Sequence, residues 1–193
     1  MSLSRRTSQL LRISDSGAIM RRYLIVNGFD GALTMLGLIM GFLLSEPAEL
    51  AVISNACLAA AIALGMSGIS SAYVSEEAER KRELDKLEGA MITPLDQSAH
   101  GRAARWVPIL VAAVNGGSPL LISLVIITPL WLAQAGVVLP LPPLLLAVAI
   151  AAVLIFVLGV LLGRIAEVSW VRSGLRTLLV AGITVALIYM VSG

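Results

Sequence analysis

A carboxylate in an apolar surrounding carries the first chemical signal. The stretch NGFDGALT, 27–34, opens the run YLIVNGFDGALTMLGLIMGFLL and places Asp30 inside it. A charged Asp at the centre of a spanning helix costs roughly 2.5–3.5 kcal/mol on insertion scales, and such residues mark ion or proton paths. At the α-helical rise Asp30 lies on the order of 10 Å in from Tyr23. Were Asp30 an N-cap, the span would begin at Gly31 and reach only about 21 Å of an apolar core about 30 Å thick. Asn27, Asp30, Thr34, Gly37 and Gly41 recur at three- and four-residue steps and so share one helical face. Gly37 and Gly41 form a G-x-x-x-G, which admits a neighbouring backbone closely. Apart from Arg176 at the very start of the last one, no Lys or Arg lies within an apolar segment to neutralise Asp30. Its partner is a proton, an arginine at a helix end, or a mobile cation.

A second stripe follows in the next apolar segment: Asn55, Ala59, Ile62, Met66, Ser70 and Tyr73. Met66 reads as packing bulk or as a thioether ligand, and Asn55 as an interhelical hydrogen-bonding group or as an amide ligand. With Asp30 and Asn27 they offer carboxylate, amide and thioether groups, a set that suits a divalent transition ion. In the third apolar segment NGGSP, 115–119, is expected to break or kink the helix, because Gly-Gly loosens the backbone and Pro removes a donor. Between the second and third segments, SEEAERKRELDKLEGAM reads as a helical prolongation of the second. Glu76, Glu79 and Glu83 share a stripe there. Glu76–Arg80, Glu77–Lys81 and Glu79–Arg82 are spaced as ordinary ion pairs on a solvated face. The alternative is a set of carboxylates, with His100 or Met91 nearby, that collects cations at the mouth of a path.

The elements that must hold these groups are membrane helices. The 193 residues are 58% hydrophobic and only 13% charged, where a soluble domain is nearer a quarter charged. The reading is an all-α membrane protein with five transmembrane helices over 23–44, 50–73, 106–132, 144–163 and 175–191. Residues 1–22 form an N-terminal arm, read as an amphipathic surface helix around Leu10, Leu11 and Ile13 rather than a secretory signal. Residues 23–193 form one five-helix domain with an acidic helical insert at 75–104. Pro140, Pro142 and Pro143 separate the third and fourth spans. With five spans, all fourteen Lys and Arg fall on one side and only Glu46 and Glu49 on the other. The positive-inside rule then puts the N-terminus in the cytoplasm and the C-terminus outside or in a lumen. The reading is an integral membrane protein, in the cytoplasmic membrane if the chain is prokaryotic. A net charge of +2, placed as membrane topology dictates, argues against nucleic acid as a partner. Cys57 alone excludes a disulfide framework or thiolate metal site. One His, one Cys and the absence of H-E-x-x-H and G-x-S-x-G argue against an enzyme.

The chain resembles the vacuolar iron transporter family. FDGALTMLGLIMGFLLS is similar to that family's DGLVS…GLxxG signature, with Asp30 and Gly31 at its acid-glycine pair and Gly37 and Gly41 following. Near the end, FVLGVLLGRIAEVSWVRSGLRTLLVAGITVALIYMVSG resembles its LG…RSGLRxLLxGxxxAxxxY pattern, centred on Arg172, Ser173, Gly174, Leu175 and Arg176. The resemblance implies a homodimer in the lipid bilayer that carries Fe2+, and sometimes Mn2+, out of the cytoplasm in exchange for protons. No permanently bound cofactor is implied, and Asp30 inherits the role of the carboxylate lining a path near the dimer axis. Two Asp30 side chains across a two-fold axis repel until a proton or divalent cation arrives. Two departures stand out. The family's MAxGEY corresponds to GISSAY, so its Glu falls on Ala72 and its Met on Gly68, leaving Met66 displaced. The family's cytoplasmic metal-binding domain is trimmed, and Glu76, Glu79, Glu83 and Glu88 correspond to its glutamates by location alone. These departures motivate an alternative: a membrane scaffold or lipid-interacting protein that keeps the fold without a working metal site.

Overall fold

The computed structural model describes residues 16–45, 47–91, 95 and 97–192. Five helices follow one another: α1 (Ser16–Leu44), α2 (Leu50–Met91), α3 (Ala99–Gln134), α4 (Pro143–Ile165) and α5 (Trp170–Ser192). Each is long and apolar enough to cross a membrane. The architecture is that of an all-α membrane protein, in which backbone groups without water must be satisfied inside helices.

The ends of the helices follow from local chemistry. Ser98 caps α3, its Oγ accepting from the Gly101 N–H at 3.2 Å. At the far end Gly136 takes φ 82°, while Gly136 N–H reaches Ala133 O at 3.0 Å and Val137 N–H reaches Leu132 O at 3.0 Å, closing the last carbonyls. Pro142 and Pro143 open α4, where a missing N–H costs nothing.

α3 is the central wedge. It packs along α2 on one side and along α1 on the other, and α4 and α5 close against α1 and each other. Met35 and Ile39 of α1, Ile53 of α2, Ile126, Ile127 and Leu130 of α3 and Ile155 of α4 form the main core. Among lipid tails apolar contact alone gives little drive for association, so close approach of backbones matters more. At the α2–α3 crossing a Cβ on Gly116 would fall 2.1 Å from Gly65 O and 2.7 Å from Ile69 N. At the α4–α5 crossing a Cβ on Gly159 would meet the Thr177 side chain, whose hydroxyl donates to Ile155 O at 3.1 Å.

Three sequence expectations change. The NGGSP break does not form: α3 runs unbroken from Ala99 to Gln134, with Pro108, Pro119 and Pro129 inside it. Its glycines serve the close approach to α2 instead, and keeping the helix spares backbone groups that nothing at that depth would satisfy. α3 begins at Ala99, ahead of the span at 106, and α1 begins at Ser16, so Arg21 and Arg22 lie within it. The arm's amphipathic residues Leu10, Leu11 and Ile13 lie outside the described residues. The prolongation of α2 is present, since its 42 residues form one helix, about 63 Å long at the helical rise.

Because successive helices alternate in direction, one end of the bundle collects the basic residues. Arg21 and Arg22, the run 80–86, Arg102, Arg105, Arg164, Arg172 and Arg176 all come to that end.

Candidate functional site

Asp30 is eight residues beyond Arg22 and fourteen before Leu44 on α1, so it sits about 12 Å in from the basic end and about 21 Å from the other. Its side chain is exposed on the outer surface of the single bundle. Among the described residues it has no ion pair, so no arginine at a helix end claims it. Thr34, one turn on, donates its hydroxyl to Asp30 main-chain O at 2.8 Å. Beyond Asp30 this face is lightly packed. A Cβ on Gly37 would touch only Ile188 Cδ1, at 3.6 Å, and one on Gly41 would meet nothing within 4 Å. Gly31 turns the other way, against Pro119 of α3. The G-x-x-x-G therefore packs against no helix backbone within one chain.

Behind Asp30 a polar ladder ties three helices together. Asn27 Nδ2 donates to Asn115 Oδ1 at 2.7 Å and to Tyr23 O at 2.9 Å, and Asn115 Nδ2 donates to Gly68 O at 2.8 Å. The Ser118 hydroxyl donates to Leu24 O. Sequence reading missed Asn115 as the bridging residue; a lone amide in an apolar span was the available signal. The ladder also fixes relative depth. Asn27 and Gly68 stand level, α1 and α2 run in opposite directions, and three residues on from Asn27 equals about 4.5 Å while two back from Gly68 equals about 3 Å. Asp30 and Met66 are thus brought to one depth, and Met66 is 59% exposed. Asn55 is not brought there: thirteen residues from Gly68, it lies about 15 Å beyond Asp30 along the bundle. Asn27 is half-buried, its amide nitrogen committed to the ladder.

The two departures from the family pattern have a structural counterpart. A Cβ on Gly68 would lie 2.8 Å from Gly116 Cα, so no Met fits there without moving α3. Ala72 is buried, not on the exposed stripe of α2.

On the α2 prolongation, the carboxylates are largely engaged. Glu76 is buried with Arg80, Oε2 to Nε at 3.4 Å, and Arg80 Nη1 reaches Glu83 Oε2 at 2.6 Å. Glu88 accepts from the Leu95 N–H at 2.7 Å. Glu77, expected opposite Lys81, accepts from the Tyr73 hydroxyl at 3.0 Å. Glu79 is exposed. His100 lines a small cleft with Arg80, Glu83, Leu84 and Leu87. Among the described residues no three His, Cys, Asp or Glu side chains come together as a cation site. Near the start of α5, Ser173 packs against Gly163 and Gly174 against the Phe156 ring, while Arg172 and Arg176 are exposed.

Five helices long and apolar enough to cross a membrane mark an integral membrane protein, and Asp30 is exposed on one face of its bundle. The chain is similar to an uncharacterized protein of Methanocaldococcus jannaschii, 29% identical over 164 residues, which cover 83% of this chain and 81% of that protein. No family model and no solved structure matches it.

Proposed function

We propose that the chain is a transporter that moves a divalent transition-metal ion, Fe2+ or Mn2+, out of the cytoplasm in exchange for protons, acting as a homodimer. The observation that carries this reading is Asp30, exposed on the bundle surface about 12 Å along α1 from Arg22 and without a cationic partner among the described residues. A carboxylate at that depth is expensive against lipid and calls for a protein or ionic partner. A second copy laid on the same face would bring two Asp30 side chains together, with Gly37 and Gly41 leaving room for the approach. Two facing carboxylates hold either protons or a divalent cation, and the exchange of one for the other is the coupling. Met66, exposed at the same depth, supplies a soft ligand that favours Fe2+ or Mn2+ over Na+. The resemblance of the first and last spans to vacuolar iron transporters supports the same reading, and the gathering of basic residues at one end supports a cytoplasmic N-terminus.

Uptake of Fe2+ or Mn2+ into inside-out vesicles tests it. Asp30→Ala abolishes uptake while the protein still elutes as a folded dimer, and uptake at the wild-type rate in that variant rules the mechanism out.

A second reading, a scaffold without a working metal site, is favoured by the buried Ala72 and by Gly68, which cannot carry a ligating side chain. Thermal unfolding of purified protein separates the two, since a ligand that binds only the native state raises the midpoint. A transporter shifts with Mn2+ and a scaffold does not.

A further inference from the structure

The end of the bundle where α4 meets α5 gathers three arginines that transport does not use. Arg164 lies in the last turn of α4, Arg172 and Arg176 in the first two turns of α5, and all three are exposed. Packing holds the segments that carry Arg164 and Arg172 close. A Cβ on Gly163 would lie 2.6 Å from Ser173 Cβ and 3.2 Å from Trp170 Cα, so the residues adjoining Arg164 and Arg172 press together. Among the described residues none of the three arginines has an ion pair or hydrogen bond. Glu167, exposed in the intervening turn with φ 53°, is the local carboxylate, and it forms no ion pair with them. Several other basic residues are better balanced. Arg80 sits between Glu76 and Glu83, Arg102 donates to Gln97 O at 3.2 Å, and Lys81, Arg82 and Lys86 alternate with Glu77, Glu79 and Asp85 along α2.

Arg172 and Arg176 are four residues apart, so they share a face and repel. They also stand at the positive end of the α5 dipole, where cations are unfavourable and anions are favoured. Helix stability therefore does not explain them, whereas an anion lying across both would relieve both effects. Their depth identifies the anion. Gly37 of α1 meets Ile188 of α5, so Arg176, about 18 Å back along α5, stands roughly 7 Å nearer the basic end than Asp30, about 10.5 Å back along α1. Arg176 thus stands where acyl chains give way to headgroups, and Arg172 and Arg164 lie within the headgroup layer. Trp170 is exposed beside them, as aromatic rings are at membrane interfaces. α5 is also the least buried of the five helices within the chain.

We propose that the α4–α5 end binds the phosphate headgroup of an anionic phospholipid. The guanidinium forks of Arg172 and Arg176 take its oxygens as charge-assisted pairs, with Arg164 adding charge from α4. Native mass spectrometry of the full chain, released from mild detergent with phosphatidylglycerol or phosphatidylcholine, tests this. Phosphatidylglycerol is retained over phosphatidylcholine by roughly tenfold or more, and the R172Q/R176Q variant loses that preference. The K81Q/K86Q variant on α2 keeps it. Equal retention of the two lipids, an unchanged preference in R172Q/R176Q, or displacement of the lipid by equimolar inorganic phosphate each overturns the proposal. If R172Q/R176Q aggregates, R172K/R176K takes its place. That variant keeps the charge and loses the fork, so its preference falls part of the way, and full wild-type retention there overturns the proposal equally.

Discussion

Gly116→Ala is the most demanding test of the packing at the α2–α3 crossing. The new Cβ would lie 2.1 Å from Gly65 O, 2.5 Å from Ile69 Cγ1 and 2.7 Å from Ile69 N, two of them backbone atoms that cannot rotate away. Restoring an ordinary contact near 3.5 Å requires α2 and α3 to part by more than about 1 Å. The adjacent Asn115 Nδ2 to Gly68 O bond, 2.8 Å long, would then exceed hydrogen-bonding distance. Overpacking costs about 1–3 kcal/mol, and a buried amide left without its partner about 1–3 kcal/mol more. For a chain of this size such a loss lowers the unfolding midpoint by roughly 5–15 °C. Gly117→Ala is the internal control, because a Cβ there meets nothing within 4 Å. Alanine in a helix interior is about 0.5–1 kcal/mol better than glycine, so that variant melts at or slightly above wild type. The assay is thermal unfolding in detergent, followed by circular dichroism. A Gly116→Ala midpoint within about 2 °C of wild type, or equal damage from Gly117→Ala, refutes the close backbone contact.

Three further outcomes follow from named contacts. Arg80→Ala leaves Glu76 buried without its ion pair and costs about 2–4 kcal/mol, whereas Glu83→Ala removes a carboxylate that is 50% exposed and costs under about 1 kcal/mol; comparable midpoint shifts for the two would contradict the burial. Cys57, fully buried, resists maleimide in the folded protein and labels only on unfolding, so rapid native labelling would show the core to be open at that level. In a Cys57→Ala background, Gly41→Cys cross-links two copies on oxidation, since position 41 is uncovered in the single chain and faces the proposed interface; a chain that stays monomeric under oxidant argues for a different dimer surface.

The spans were legible because each holds an apolar window that few other structures accommodate. Their limits were less so. α1 carries on back through Arg22 and Arg21 to Ser16, and α3 starts at Ala99, because a helix once nucleated continues through polar residues that still satisfy its ladder. NGGSP misled for a physical reason: Gly-Gly-Ser-Pro breaks helices in water, but at membrane depth a broken helix has nothing to satisfy its freed groups. At the site, charge placement alone could be read to leave Asp30 a proton, an arginine at a helix end or a mobile cation as its partner. Which groups share its depth could not, since that depends on the Asn115 bridge setting the register of α1 against α2. The bridge levels Met66 with Asp30 and leaves Asn55 far along the bundle. Glycine spacing also carried two meanings that sequence does not separate, with Gly116 clamped against α2 and Gly41 open.

The central claim is that the acid on the first helix waits for a mobile divalent ion at a surface shared by two copies. Anomalous scattering from crystals soaked in Mn2+ tests this most directly. The account predicts a peak within coordination distance of Asp30 oxygens from both copies, absent from an Asp30→Asn crystal. Mn2+ bound only among the glutamates of the α2 prolongation, with Asp30 facing lipid or held by an arginine, would contradict it.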